Sequence, residues 1–163
     1  MNRSTSTDLQ RFIAHLPLQS TDRVLVVLKG HLLIEELLRE YVNHHVRNPE
    51  SLQDARLTFH QALCLARAFA PEESKEKLWN SVDKLNSLRN KIAHSLEPKD
   101  LEAKLKEFVE FLSNADPDVS HLDPDRTFGI LSSCILAICL SLSEALRQFR
   151  TSSVADHPSG TFL

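Results

Sequence analysis

Apolar side chains recur every three to four residues along most of this chain of 163 residues, which is the spacing of one face of an α-helix. The longest such stretch, residues 22–45, is apolar nearly all round in its first half and predicts a buried central helix. Gly30 lies in its middle and weakens the helix intrinsically. We therefore expect Gly30 to permit a close crossing with another helix.

Prolines and Asp-Pro pairs separate this stretch from further helical patterns. The predicted helices cover residues 7–16, 22–45, 51–70, 71–98, 99–114 and 126–150. Residues 116–125 contain two Asp-Pro pairs and predict a loop. We expect residues 1–6 and 151–163 to be disordered, so that the core spans about 7–150 of a single domain over 1–163.

Composition favours an all-α fold. The chain has three glycines, abundant leucine and no alternating β-branched runs. Its formal net charge is −3 and its pI is near 6.2, which argues against a protein that binds nucleic acid over a broad basic face. A small phosphate site needs only a few local cations and is compatible with that charge.

The sequence favours a cytoplasmic protein without a membrane span. Its N-terminus lacks the cationic start and the apolar run of a signal peptide. The most apolar stretch, residues 128–142, is shorter than the roughly 20 residues that a span needs, and it contains three serines. We expect this stretch to be a buried core helix or an oligomer interface.

Cysteine and histidine spacing predicts neither a metal site nor a cofactor. Three cysteines lie in apolar helical contexts without metal-ligand spacing, which favours small buried side chains in a reducing compartment. They are Cys64, Cys134 and Cys139. Four histidines have no cysteine or carboxylate that completes a ligand set, and a solvated helix end is the better interpretation. They are His31, His44, His45 and His60.

The stretch Arg89-Asn90-Lys91-Ile92-Ala93-His94 places a permanent cation and a titratable imidazole at the end of a long amphipathic helix. Arginine can stabilise charge on phosphorus and histidine can move protons, which together can cleave or hold a phosphodiester without a metal. The bare spacing recurs after Arg39 and Arg150, so spacing alone carries little information. Only Arg89 lies in a strongly periodic helix with an asparagine directly after it.

The helical wheel separates the two charged residues of this stretch. Arg89 falls in the middle of the apolar stripe, whereas Asn90 and His94 share a face that lies about 140° away. An unpaired buried charge is costly, so Arg89 must meet a carboxylate, a cavity or a ligand. A two-fold dimer would bring two copies of His94 to one cleft, where one could act as base and the other as acid.

The string Leu88-Arg89-Asn90-Lys91-Ile92-Ala93-His94-Ser95 resembles the signature of the HEPN superfamily, the higher eukaryote and prokaryote nucleotide-binding domains. The pattern at residues 30–38, followed by Leu57-Thr58-Phe59 and a helix rich in leucine and alanine, is similar to HEPN proteins of the mannitol operon repressor type. The resemblance spans residues 21–112, and 89–94 is its one sharp motif.

The resemblance implies an all-α up-down bundle of five to six helices that dimerises. It implies metal-independent endoribonuclease activity in many members, often in toxin–antitoxin or phage-defence systems, with Arg89 and His94 as the catalytic pair and Asn90 beside them. Other members have no catalysis and act as regulators or scaffolds. In one toxin branch the antitoxin modifies a tyrosine two residues after the histidine; this chain has Leu96 there, so that route of silencing is not expected.

Alternatives stay open for the residues and for the function. Arg89 could form a structural ion pair with Glu35 or Glu36, or Glu35 could orient the site. Lys91 and Lys84 could help to hold a phosphate backbone. The chain would then be either a dimeric ribonuclease that acts on RNA, with an antitoxin or regulatory protein as partner, or a non-catalytic module that binds a protein or a nucleotide. The acidic pI favours the module, and the intact motif favours the ribonuclease.

Overall fold

The computed structural model describes residues 3–71, 76–94, 100–113 and 129–155, and these residues are all helix and connecting turns without a β-strand. The helices are α1 Arg3–His15, α2 Arg23–His45, α3 Glu50–Asp54, α4 Phe59–Phe69, α5 Glu76–Ala93, α6 Leu101–Ser113 and α7 Ile130–Ala155. The prediction of an all-α fold is confirmed, but the described residues form seven helices instead of the five to six that were expected.

Several helix boundaries differ from the predicted ones. The single helix predicted over 51–70 is two helices, because Arg56 has a positive φ of 46° and Thr58 caps α4. The Thr58 hydroxyl accepts from the backbone N–H of Gln61, and the Gln61 side chain accepts from the backbone N–H of Thr58. α1 begins at Arg3 and α7 runs to Ala155, so helix reaches into both segments that were expected to be disordered. The predicted loop at 116–125 lies outside the described residues.

α2 lies at the centre of the described fold and packs against α1, α4, α5 and α7. Its buried side chains point to several sides, as the nearly all-round apolar pattern predicts. They include Val26, Val27, Leu33, Ile34, Leu37, Leu38, Tyr41 and Val42. α5 is held against this centre by Val82 and Leu85, which are both fully buried, and α6 packs on α5 and α7.

The predicted close crossing at Gly30 is confirmed. Gly30 is buried, and a Cβ built on it would lie 2.5 Å from Cγ2 of Ile135 on α7. That distance is too short for two carbon atoms, so the crossing of α2 and α7 depends on the missing side chain.

α7 extends beyond residue 142, where the apolar stretch of the sequence analysis ends. The segment Ile130–Gln148 has 19 residues and a mean hydropathy of 1.7, so by length and composition it could cross a membrane. The prediction that the stretch is too short is therefore wrong, because the helix continues past residue 142. Half of the segment is buried against the other helices. The core helix of a soluble protein can have the same length and composition, so these two properties do not decide between a core helix and a membrane span.

The cysteines divide into two buried thiols and one exposed thiol, and all three are free. Burial raises the pKa of Cys134 to about 11 and that of Cys139 to about 12, so both stay protonated and unreactive at neutral pH. Cys64 is exposed on α4, with its sulfur 3.6 Å from Nε2 of His60. The expectation that all three are buried is wrong for Cys64.

Replacing Gly30 by alanine should lower the free energy of unfolding by about 1–3 kcal/mol, the usual cost of forcing an extra carbon into a packed core. The gain in helix propensity from glycine to alanine, about 0.5–1 kcal/mol, is too small to offset a clash with a β-branched side chain. Urea denaturation measures the difference. Gly129→Ala is the matched control, since nothing lies within 4 Å of a Cβ at that position. Equal stability of Gly30→Ala and wild type would contradict the close crossing.

Candidate functional site

α5 carries the Arg-to-His stretch and brings its C-terminal turn beside α2. One side of the helix is fixed by apolar contacts, with Trp79, Val82, Leu85 and Leu88 buried. The helix ends at Ala93, and the backbone N–H of His94 still donates to the carbonyl of Asn90 at 3.1 Å. The last helical turn is therefore regular, and it sets the directions of the side chains that follow.

Arg89 is half-buried and lacks an ion-pair partner in the described part of the chain. Its Nη1 donates to Oδ1 of Asn90 at 3.2 Å. Glu35 pairs with Arg39 instead, and Glu36 pairs with Arg11. The interpretation of Arg89 as a structural ion pair with Glu35 or Glu36 is therefore wrong. Asn90 is neutral, so no described residue compensates the charge of Arg89 through an ion pair.

His31 on α2 lies next to this arginine, in the interior. Only 4% of the residue is exposed, and its ring stacks on Phe59 with a centroid distance of 4.2 Å. Its Nε2 lies 3.2 Å from Oδ1 of Asn86, and its Nδ1 lies 3.9 Å from Oε2 of Glu35. These contacts join α2 to α5 through a buried polar group.

The pKa of His31 is lowered below its ordinary value, chiefly because burial disfavours the charged form. The hydrogen bond to Asn86 and the charge of Glu35 act in the opposite direction, and the positive charge of Arg89 adds to the lowering. His31 is therefore a neutral imidazole at neutral pH. Its neutrality avoids placing a second cation beside Arg89.

Glu35 is held by α2 itself and by the turn before α4. Its Oε1 accepts from Nη2 of Arg39 at 2.6 Å and from Nε at 3.2 Å. Arg39 Nη2 also donates to the carbonyl of Leu57 at 2.7 Å. We call His31, Glu35, Asn86, Arg89 and Asn90 the polar cluster. Glu35 belongs to it through His31 and makes no described contact with Arg89 or His94.

His94 and Lys91 lie away from the polar cluster. His94 is exposed directly after the end of α5, and Lys91 is half-buried on the preceding turn. Five residues of a regular helix turn the chain by about 140° between Arg89 and His94, and no side-chain contact joins the two among the described residues. One chain therefore brings together Arg89 and Asn90 but does not add His94 to them.

Sequence reasoning missed His31 and Asn86. His31 was interpreted as part of a solvated helix end, and this is wrong because it is buried against Phe59. Two signals point to it: it lies within the most apolar part of α2, and it precedes Glu35 by one helical turn. Asn86 likewise precedes Asn90 by one turn on α5. A polar residue within an apolar helix face needs a partner, which makes such positions candidates for a cluster.

Comparison with known protein families, with characterised proteins and with solved structures finds no match to this chain. The resemblance to HEPN proteins therefore rests on the residues of the motif and on the helical layout. Within the described ranges, no three histidine, cysteine or carboxylate side chains are grouped so that they could hold a metal ion.

The lowered pKa of His31 predicts a loss of stability on acidification. Below pH 6.5 the unfolded chain binds a proton on this histidine and the folded chain does not, so the free energy of unfolding falls as the pH drops through 6.5. Replacement of His31 by glutamine removes this proton uptake, because glutamine does not titrate. Urea denaturation between about pH 7.5 and about pH 5.5 should therefore show a smaller loss for His31→Gln than for wild type.

The exposed His15 provides the control, and His15→Gln should lose stability on acidification as wild type does. Parallel curves for wild type and His31→Gln would show that His31 is not held neutral.

Proposed function

We propose that this chain is a metal-independent endoribonuclease of the HEPN type. Arg89 stabilises the negative charge that develops on the phosphorus oxygens, His94 transfers the proton, and Asn90 positions the substrate. The observation that carries the proposal is the half-buried guanidinium of Arg89, which has a neutral neighbour in Asn90 and no carboxylate partner among the described residues.

An arginine in this state is suited to an anionic ligand. Removing a cation from water is costly unless an opposite charge compensates it, and neither Glu35 nor Glu36 does so here. A phosphodiester supplies that charge and matches the planar guanidinium with two acceptor oxygens. The same arginine would hold the charge more strongly in the transition state, when a second negative charge builds on the phosphoryl oxygens.

The rest of the polar cluster supports the position of Arg89. The contact between His31 and Asn86 ties α2 to α5 three residues before Arg89. Glu35 contacts the site through His31 and is itself held by Arg39, so its role is that of a positioning residue. Because His31 is neutral, it adds no second positive charge beside Arg89.

The orientation of His94 favours a site shared between two chains. Cleavage at the 2′-hydroxyl needs one base for that hydroxyl and one acid for the leaving 5′-oxygen. His94 is exposed and turned away from Arg89, so a second chain is needed to bring the imidazole of a His94 to the arginine. A two-fold axis through the α5 ends supplies two histidines to one cleft. Lys91, one turn before His94, contributes a further positive charge to the backbone of the RNA.

The biological setting follows from the resemblance. We propose a cytoplasmic up-down bundle that acts as a toxin or a phage-defence component, controlled by an antitoxin or another regulatory protein. The second candidate is a non-catalytic HEPN-like module that binds a protein or a nucleotide. Two observations favour it: the net charge of −3, and the separation of Arg89 from His94 within one chain.

Cleavage of a mixed RNA pool in EDTA tests the activity. Wild type should produce fragments with cyclic phosphate ends, His94→Ala should be slower by about 10²–10⁴-fold, and Arg89→Ala by about 10²–10³-fold. His15→Ala and Arg67→Ala are matched controls on exposed positions and should cut as wild type does. If none of the proteins cuts, the module becomes the better account; equal cutting by all of them points to another site or a contaminant.

A mixed dimer tests whether the site is shared. The mass in solution should be near twice the 18.5 kDa of one chain. A dimer of one wild-type chain and one His94→Ala chain, purified through two different tags, should retain far less than half of the wild-type rate, because the cleft lacks either its acid or its base. Half of the wild-type rate would mean that each chain cleaves alone, and a strict monomer would remove the shared cleft.

A further inference from the structure

A groove of about 460 Å³ lies between α5 and α6, on the side of α5 away from α2. Its floor is apolar, formed by Leu88 and Phe108, and the ring of Phe111 stands at one wall. Its volume is within the range of about 300–1,000 Å³ that is usual for small-ligand sites. We call it the α5–α6 groove.

The groove continues the face of α5 that carries His94. Lys84, Ser87, Lys91 and His94 follow one another at intervals of three, four and three residues, which places them along one side of the helix. Lys84 and Ser87 line the groove. At 1.5 Å per residue, Lys84 lies about 15 Å along the helix from His94. A stacked strand rises about 3.4 Å per nucleotide, so roughly four to five nucleotides cover that distance.

The charges of the groove suit a nucleotide within a strand better than a free polyanion. Glu107 is shared by two lysines: its carboxylate lies 3.6 Å from Nζ of Lys84 and 2.6 Å from Nζ of Lys104. One positive charge is left over in this group, enough for one phosphodiester. Asp83 brings the groove as a whole to neutrality, so a densely charged ligand gains nothing there.

Asp83 and Phe111 offer the two contacts that a base requires. The carboxylate of Asp83 is on an exposed position and forms no ion pair among the described residues. It can accept from an exocyclic amino group, as acidic side chains accept from N4 of cytosine. The ammonium group of Lys84 lies 4.9 Å from the ring centroid of Phe111. Lys84 is on the surface and can move aside, which leaves the aromatic face to a stacked base.

We propose that the α5–α6 groove binds one base of the RNA strand, about four to five nucleotides from the bond to be cleaved, by stacking on Phe111 and by hydrogen bonding of its amino group to Asp83. This inference rests on the proposed ribonuclease function. It adds a preference for cytosine over uracil at that position, because uracil presents a carbonyl oxygen where cytosine presents an amino group.

Fluorescence anisotropy with uncleavable 2′-O-methyl oligocytidine and oligouridine tests the groove on the full chain. Wild type should bind oligocytidine more tightly. Phe111→Leu keeps apolar packing but removes the ring, and should raise the Kd for oligocytidine about 5- to 100-fold, the effect of losing one stacked base. Asp83→Asn should abolish the difference between the two oligonucleotides.

Matched controls separate binding from folding. Phe69→Leu removes a half-buried ring on α4, and Asp54→Asn removes an exposed carboxylate on α3; neither should change either Kd. Thermal unfolding of each variant is measured in parallel. Loss of stability in Phe111→Leu with an unchanged Kd would mean that Phe111 only holds α6 to α5, and would overturn the proposal.

The outcomes for the groove and for catalysis are distinguishable. If wild type cleaves RNA but Phe111→Leu and Asp83→Asn bind as it does, the groove proposal fails and the ribonuclease stands. If wild type binds oligocytidine in a groove-dependent way but cleaves nothing, the base site stands without the catalysis. Binding that responds only to salt, without preference between the two bases, reflects backbone attraction alone and overturns the base site.

Discussion

The burial of α2 on several of its sides constrains everything else in the described fold. A helix packed on four neighbours needs a small residue where another helix comes closest to it. Any polar group that it turns inward needs a hydrogen-bond partner on a neighbouring helix. Gly30 meets the first demand against Ile135, and Asn86 meets the second for His31. Gly30 and His31, adjacent in sequence, thus fix α2 against α7 and α5 respectively. The polar cluster therefore depends on the packing of the core.

The sequence predicted the features that depend on local pattern, and several of them are present. Periodicity predicted the all-α class and the central helix. A glycine in the interior of that helix predicted the close crossing at Gly30. The break between α3 and α4 was missed, because the apolar spacing runs through it and the capping box of Thr58 and Gln61 was not recognised. The pattern of side chains alone does not reveal a left-handed residue such as Arg56.

The sequence predicted the arrangement of the candidate site only where the side chains lie on a single helix. The wheel of α5 separates Arg89 from His94 because both lie on the same regular element. The pairing of Glu35 with Arg39 also lies within one helix, and their i, i+4 spacing is a signal that the sequence contains. The burial of His31 depends on the ring of Phe59 and on Asn86, from two other helices. A polar residue in the apolar part of α2 indicates that a partner is needed, but a single sequence does not identify which residue of another helix supplies it.

α6 differs from α2 in what attaches it to the molecule. It buries Leu105, Phe108 and Leu112 on one side, and three further apolar side chains of α6 are only partly buried. Exposed ion pairs of Glu107 and Glu102 add to these contacts. Exposed pairs contribute little and weaken as ionic strength rises. An element held in this way opens locally at a lower free energy than the core, so its amide hydrogens exchange with solvent before those of α2. The α5–α6 groove is thus absent from molecules in which α6 has opened locally, while the polar cluster persists in them.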